Sequence, residues 1–229
     1  PLLTSAHAEY AGGRFGRAAE LLGDLLRQNN VEATVLEQAA RLQADCYGRM
    51  GEGNNRKLLE AVDAYKRILE RHADPSPGND RVYFNLARCY EQLKFYYEAA
   101  AALEKMLIRY PDSPHAADAS FTLGEMSRKT GKTQLAAARL EDFLSRHPEH
   151  PQARAAALGL MALHLAEGRV DAALQGARAV QGRWPDLSAL PPEALLNLGL
   201  VHYWSKEYAE AVRILALAAS LHPESEQGA

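Results

Sequence analysis

The sequence predicts an all-α protein, an α-α superhelix (a right-handed solenoid) of about six helical hairpins. Three observations carry that prediction. Residues return with a period of about 37–38: Gly124, Gly131, Ala136, Leu140, Phe143 and Pro148 recur as Met161, Gly168, Ala173, Ala177, Val180 and Pro185. They recur again as Gly199, Lys206, Ala211, Leu215, Ala218 and Pro223. Self-similarity at this period marks stacked helical units, each of which buries its apolar face only against its neighbours. Hydrophobic residues make up 47% of the 229 residues, much of it alanine, which favours helices that lie close together. Aromatic residues are only 7%, and no alternating apolar–polar run signals a strand.

The units follow in order, with no composition shift or long flexible linker to divide residues 1–229, so a single solenoid is expected. The approximate repeats are 1–32, 35–76, 80–113, 114–150, 151–188 and 191–224. The first is marked by Ala6, Gly13, Phe15, Ala18 and Leu22. The second has Ala44, Tyr47 and Gly51, then resumes at Ala61, Tyr65 and Ile68. The third is the clearest, with Leu86, Ala87, Tyr90, Tyr96, Ala99, Leu103, Met106 and Pro111. Gly124, Gly131 and Ala136 mark the fourth, Gly168 and Ala173 the fifth, and Gly199, Tyr208 and Ala211 the sixth.

Each repeated offset has a physical reason within the unit. A small residue in the first helix lets the second approach. Glycine before the second helix, as at Gly131 and Gly168, suits the left-handed conformation that ends a helix. Proline after it, at Pro111, Pro148, Pro185 and Pro223, stops propagation. Ser113-Pro114 is expected to supply an N-cap and a first-turn proline to the next helix. Two departures stand out. About five extra residues between Gly51 and Ala61 predict a longer polar loop or an extended helix start. The Ala73–Asp80 segment, with Pro75, Pro77 and Gly78, reads as a surface turn and is the nearest thing to a hinge.

The third unit matches the tetratricopeptide pattern, and six units in register resemble that family over nearly the whole length. Tyr110-Pro111-Asp112-Ser113-Pro114, Ala116-Ala117, Leu123-Gly124-Glu125 and Arg146-His147-Pro148-Glu149-His150-Pro151 are similar to linkers of a bacterial envelope subfamily. That subfamily, of the Tol-Pal cell division coordinator and outer-membrane assembly lipoprotein type, is resembled over about 80–220. The resemblance implies that first helices line a concave groove holding a peptide or partner helix. Its offsets select Arg41, Asp45 and Arg49, then Arg81, Phe84, Arg88 and Glu91, then Asp118, Phe121, Glu125 and Arg128. In the fifth and sixth units they select Leu158, Ala162, Leu165, Leu196, Leu200 and Tyr203, with Trp204 beside it.

Within that set, Arg41, Asp45, Arg81, Phe84, Arg88, Phe121, Glu125, Arg128, Leu200, Tyr203 and Trp204 are the expected partner-binding residues. The charged half suits a peptide with carboxylates, and Tyr and Trp suit a buried anchor. The plainer reading makes Leu158, Leu196 and Leu200 core, with Trp204 against Tyr208. The carboxylate-clamp branch of the family carries Lys and Asn where Phe84 and Arg88 stand, although Asn85 is adjacent. Chaperone tails are therefore not the expected partner.

Other chemistries are disfavoured. A net charge of −3 provides no basic face for nucleic acid. No apolar run is long enough to span a membrane. Gly131-Lys132-Thr133 resembles the end of a phosphate-binding loop, but Met126 stands where its first glycine belongs. The eight histidines form no ligand set: His147 and His150 flank a turn, and His164 and His202 replace the repeat aromatic. Cys46 and Cys89 share one repeat offset and are read as reduced core residues. No catalytic constellation emerges, and no enzyme activity, cofactor or metal is expected.

The expectation is a non-enzymatic protein-interaction scaffold in a bacterial envelope complex, periplasmic or outer-membrane-associated, with a cytoplasmic setting as the alternative. The competing reading is a docking region of a larger protein with a catalytic or membrane part elsewhere. The sequence opens at Pro1 with no leader, so any signal peptide would lie outside it. No polar cap follows Leu221-His222-Pro223, so either a further region covers the last apolar face or a weak homodimer forms there through Trp204, Tyr208 and Leu217.

Overall fold

A computed structural model describes residues 1–72, 75–221 and 223, among which there are twelve α-helices and no strand. They are α1 (Leu2–Ala11), α2 (Phe15–Leu26), α3 (Ala33–Met50), α4 (Asn55–Arg71), α5 (Asn79–Gln92) and α6 (Tyr96–Arg109). There follow α7 (Ala116–Lys129), α8 (Thr133–Arg146), α9 (Ala153–Ala166), α10 (Val170–Arg183), α11 (Pro192–Trp204) and α12 (Tyr208–Leu221). The chain divides into two compact units, Pro1–Thr130 and Gly131 onward, at the turn between α7 and α8. Ala73 and Asp74 of the expected hinge, His222 and the tail after Pro223 lie outside the described residues.

In the first unit each helix packs on the next, and the first helices of successive hairpins also meet, α1 on α3 and α3 on α5. The second unit repeats this arrangement, with consecutive helices in contact and α9 on α11. This is the stacking of the tetratricopeptide fold. Apolar residues at 3–4 spacing supply the cores. Ala6, Ala18, Leu22, Ala39, Leu42 and Cys46 form one cluster. Leu58, Tyr65, Leu86, Leu103, Met106 and Met126 belong to a second in the same unit. Met161, Ala177, Leu195, Leu198 and Ile214 belong to the core of the other.

The turns explain why the period is so regular. The turn inside every hairpin contains a residue with positive φ: Gly13, Gly53, Lys94, Gly131, Gly168 and Lys206. At Lys94 the amide donates to Glu91 O (2.9 Å) and the Phe95 amide to Tyr90 O (2.8 Å), the paired bonds of a Schellman motif. Lys206 and Glu207 repeat them onto Tyr203 O (3.0 Å) and His202 O (2.9 Å). The turn survives without glycine because these bonds fix it, at a cost of about 1–2 kcal/mol for a side chain in the left-handed region. After the second helices, Tyr110, His147 and Trp184 leave helical geometry immediately before proline, with ψ of 61°, 53° and 77°.

Two local expectations are resolved. The extra residues of the second unit lengthen a helix: α3 and α4 run 18 and 17 residues where α5 to α10 each run 14. Asn54 caps α4 by accepting from the Lys57 amide at 3.3 Å. Ser113, by contrast, is not the N-cap of α7. The Ala116 amide bonds Ser113 O (2.9 Å), so Ser113-Pro114-His115 forms a turn and α7 opens after it. The Ser113 hydroxyl donates to Asp80 Oδ2 instead (2.6 Å). Cys46 and Cys89 are free and buried, and burial first of all pushes their thiols up to about 12 and about 11.

Candidate partner-binding cleft

In the first unit, α1, α3 and α5 border an open cleft of about 400 Å³. Its floor is built on Asp45, which is 5% exposed. Asp45 Oδ1 accepts from the Tyr65 hydroxyl (2.6 Å) and Asn85 Nδ2 (2.9 Å), and Oδ2 from Arg81. Burial, then the Asp45 charge, raises the Tyr10 and Tyr65 hydroxyls above their usual range. Burial opposes the Arg81 charge, but Asp45 outweighs it and holds the guanidinium above its ordinary value. Asp45 is thus a structural acceptor of three hydrogen bonds that presents Arg81 to the cleft.

Two further guanidinium groups line the same cleft. Arg49 lies over the Phe15 ring at 5.4 Å, and Arg88 is solvent-exposed. Neither has a carboxylate or hydrogen-bond partner among the described residues. Phe84 stacks flat on His115, with centroids 5.1 Å apart and planes at 7°, making a smooth aromatic wall beside them. Unpaired guanidinium groups next to an aromatic surface can take a carboxylate and its neighbouring side chain together.

The structure therefore brings Asp45, Arg81, Phe84 and Arg88 into one cleft and places the other expected residues elsewhere. Arg41 does not line it. Its guanidinium donates to Pro77 O (2.6 Å), Glu37 Oε1 (2.5 Å) and Asn79 Oδ1 (3.2 Å), tying α3 to the approach to α5. Gly78 stands there at φ +78°, a left-handed conformation that other side chains rarely adopt. On α7, Phe121 and Glu125 are half-buried, and exposed Arg128 grips Glu125 through Nη2 at 2.8 Å.

In the second unit Leu200 is half-buried, whereas Tyr203 and Trp204 are 49% and 61% exposed. Trp204 and Tyr208 each meet Tyr203 edge-on, at 5.4 and 5.8 Å, so Tyr203 is the hub of this cluster. Leu158 and Leu217 rest on the core. Sequence reasoning missed Tyr10 and His115 as lining residues. The offset from Ala87 to Glu91 gives Tyr10 when counted from Ala6. His115 lies in the turn before α7, where no repeat offset points.

Comparison with known proteins follows the same lines. Residues 80–183 match the family model of the YfiO outer membrane lipoproteins, and residues 193–225 match a tetratricopeptide-repeat model. No curated protein matches the sequence. Among solved structures, Pseudomonas aeruginosa pilF superposes with a TM-score of 0.72 at 17% identity, covering 99% of this chain and 93% of its own. A tetratricopeptide repeat protein from Parabacteroides merdae gives 0.72 at 17% identity, covering 98% and 79%. YrrB, described as a protein of this repeat class with an unusual peptide-binding site, gives 0.64 at 21%, covering 92% and 96%. No helix among the described residues is long and apolar enough to cross a membrane. Paired helices with left-handed turns at a constant period, together with both family models, give this chain the tetratricopeptide-repeat fold and a likeness to the outer membrane lipoproteins over residues 80–183.

Proposed function

We propose that this protein is a non-enzymatic scaffold of the bacterial envelope, periplasmic or outer-membrane-associated, that holds a carboxylate-bearing peptide segment in the first unit's cleft. The observation that carries this reading is the pair of unpartnered guanidinium groups, Arg49 and Arg88, beside the Phe84–His115 stack. A cleft of about 400 Å³ accommodates a few side chains. Arg81, already engaged by Asp45, is a third and weaker contact. The exposed Tyr203 and Trp204 of the second unit are proposed as an apolar anchor for the same class of partner.

Selection of a random dodecamer library on the protein tests the reading. The recovered peptides should be enriched in Asp and Glu next to apolar residues. Their affinity should fall at least tenfold for Arg49→Glu/Arg88→Glu, with helicity by circular dichroism unchanged. Peptides without acidic bias, or equal binding to the double variant, would refute the cleft.

A further inference from the structure

A second concavity, of about 530 Å³, lies on the face of α3 opposite the cleft. Its floor is a helical stripe, Leu36, Ala40 and Tyr47 among its members, and Leu26 of α2 closes one side. The other wall is α4, which contributes Ile68 between Arg67 and Arg71. From Leu36 to Tyr47 the stripe runs about 17 Å at 1.5 Å per residue, about three helical turns.

The charge of this groove is one-sided. Arg71 is exposed and has no partner among the described residues, and the hydrogen bond of Arg67 goes to a backbone carbonyl, Asp63 O at 3.2 Å. The groove's carboxylate, Glu37, is taken by Arg41 at 2.5 Å, with His72 at 3.9 Å. Arg67 and Arg71 stand one turn apart on α4, the spacing at which two side chains share a helix face. An apolar stripe flanked by a helix and edged by cations matches a helix with an apolar ridge and acidic flank.

We propose that this groove docks an amphipathic helix of a partner protein, its apolar ridge on Leu36, Ala40 and Tyr47 and its carboxylates on Arg67 and Arg71. The test is fluorescence anisotropy of the full chain with two labelled 18-residue synthetic helices. Both carry leucines in one stripe; one has Glu on its flanks, the other Lys. The Glu helix should bind at least tenfold more tightly, Arg67→Glu/Arg71→Glu should reverse that preference, and amide exchange should slow in α3 and α4. The dodecamer selected on the cleft should not displace it. Equal binding of the two helices, no binding, an unchanged preference in the double variant, or displacement by the dodecamer would overturn the proposal. So would Arg67- and Arg71-dependent binding to phosphatidylglycerol vesicles without helix binding, or self-association lost in the double variant, which assign the groove to a membrane or to a second copy.

Discussion

The two units bury polar side chains by opposite strategies. The first sinks a carboxylate, Asp45, and surrounds it with donors from α4 and α5. The second sinks two imidazoles, His164 and His202, 8% and 2% exposed, in the slot that holds Tyr47 and Tyr90 in earlier repeats. Both ring nitrogens of His202 face polar partners, Nδ1 2.7 Å from Glu207 Oε2 and Nε2 3.0 Å from Gln181 Oε1. The Gln181 amide is oriented by donating to Glu210 Oε1 at 2.7 Å. His164 has no partner for Nδ1 among the described residues. A repeat position thus specifies burial, while neighbours outside the repeat decide whether a polar group placed there is stabilising.

The largest test of this contrast is Asp45→Ala. It leaves the buried Tyr65 hydroxyl and Asn85 amide without their acceptor and Arg81 unpaired. The expected loss is about 3 kcal/mol, the low end for a broken buried pair because Arg81 is half exposed. Urea unfolding would measure it, and amide exchange should accelerate in α3 to α5 but not in α11 and α12. A loss under about 1 kcal/mol would show that the network is ornamental.

Glycine to alanine exchanges sharpen the comparison. At Gly199 a Cβ would meet Leu215 Cδ2 at 2.5 Å, so Gly199→Ala should destabilise by about 1–3 kcal/mol. At Gly48 the nearest atoms stand at 3.5 and 3.6 Å, so Gly48→Ala should stabilise by up to about 1 kcal/mol through helix propensity. Thermal melts of both variants suffice, and equal effects would contradict the difference in helix approach.

Acid should act first on the second unit. Burial, then Arg169, holds His164 below its ordinary range. Its neutral-ring contribution is therefore complete above the unfolded value of about 6.5 and is lost as pH falls below it. Glu210, held at about 2 chiefly by its hydrogen bond from Arg213, keeps its contribution above about 4.5 and loses it only towards pH 2. His164→Phe should remove the first of these steps from a pH series of melting curves, and an unaltered profile would exclude His164 as its source. The smallest effect expected is a gain of about 1 kcal/mol from Lys94→Gly or Lys206→Gly, which relieves a side chain at positive φ. A neutral result would mean that those lysines gain compensating contacts.

The features legible in the sequence are those that the backbone dictates locally. Gly131 and Gly168 announce left-handed turns, and Pro111, Pro148 and Pro185 announce helix ends, because conformation restricts which residues fit. Lys94 and Lys206 adopt the same turn without announcing it, since backbone hydrogen bonds rather than composition fix it. The extended start of α4 was legible as an insertion, but the groove between α3 and the second half of α4 was not. The cleft was legible in Arg81, Phe84 and Arg88 through their repeat offsets. The roles of Arg41 and Asp45 were not, because their partners come from 20 to 40 residues along the chain and no local rule ranks that convergence above exposure.

Asp45 has one more consequence, for selectivity. Any acid approaching Arg81 meets a tethered rival that never diffuses away, so a solitary negative group gains little at that end of the cleft. On the proposed reading, discrimination falls instead to visitors carrying paired acids, which would engage Arg49 and Arg88 while leaving the internal anion undisturbed. Substitutions at Tyr65 or Asn85, which share the Asp45 carboxylate, would retune that rivalry without removing a guanidinium from the cleft.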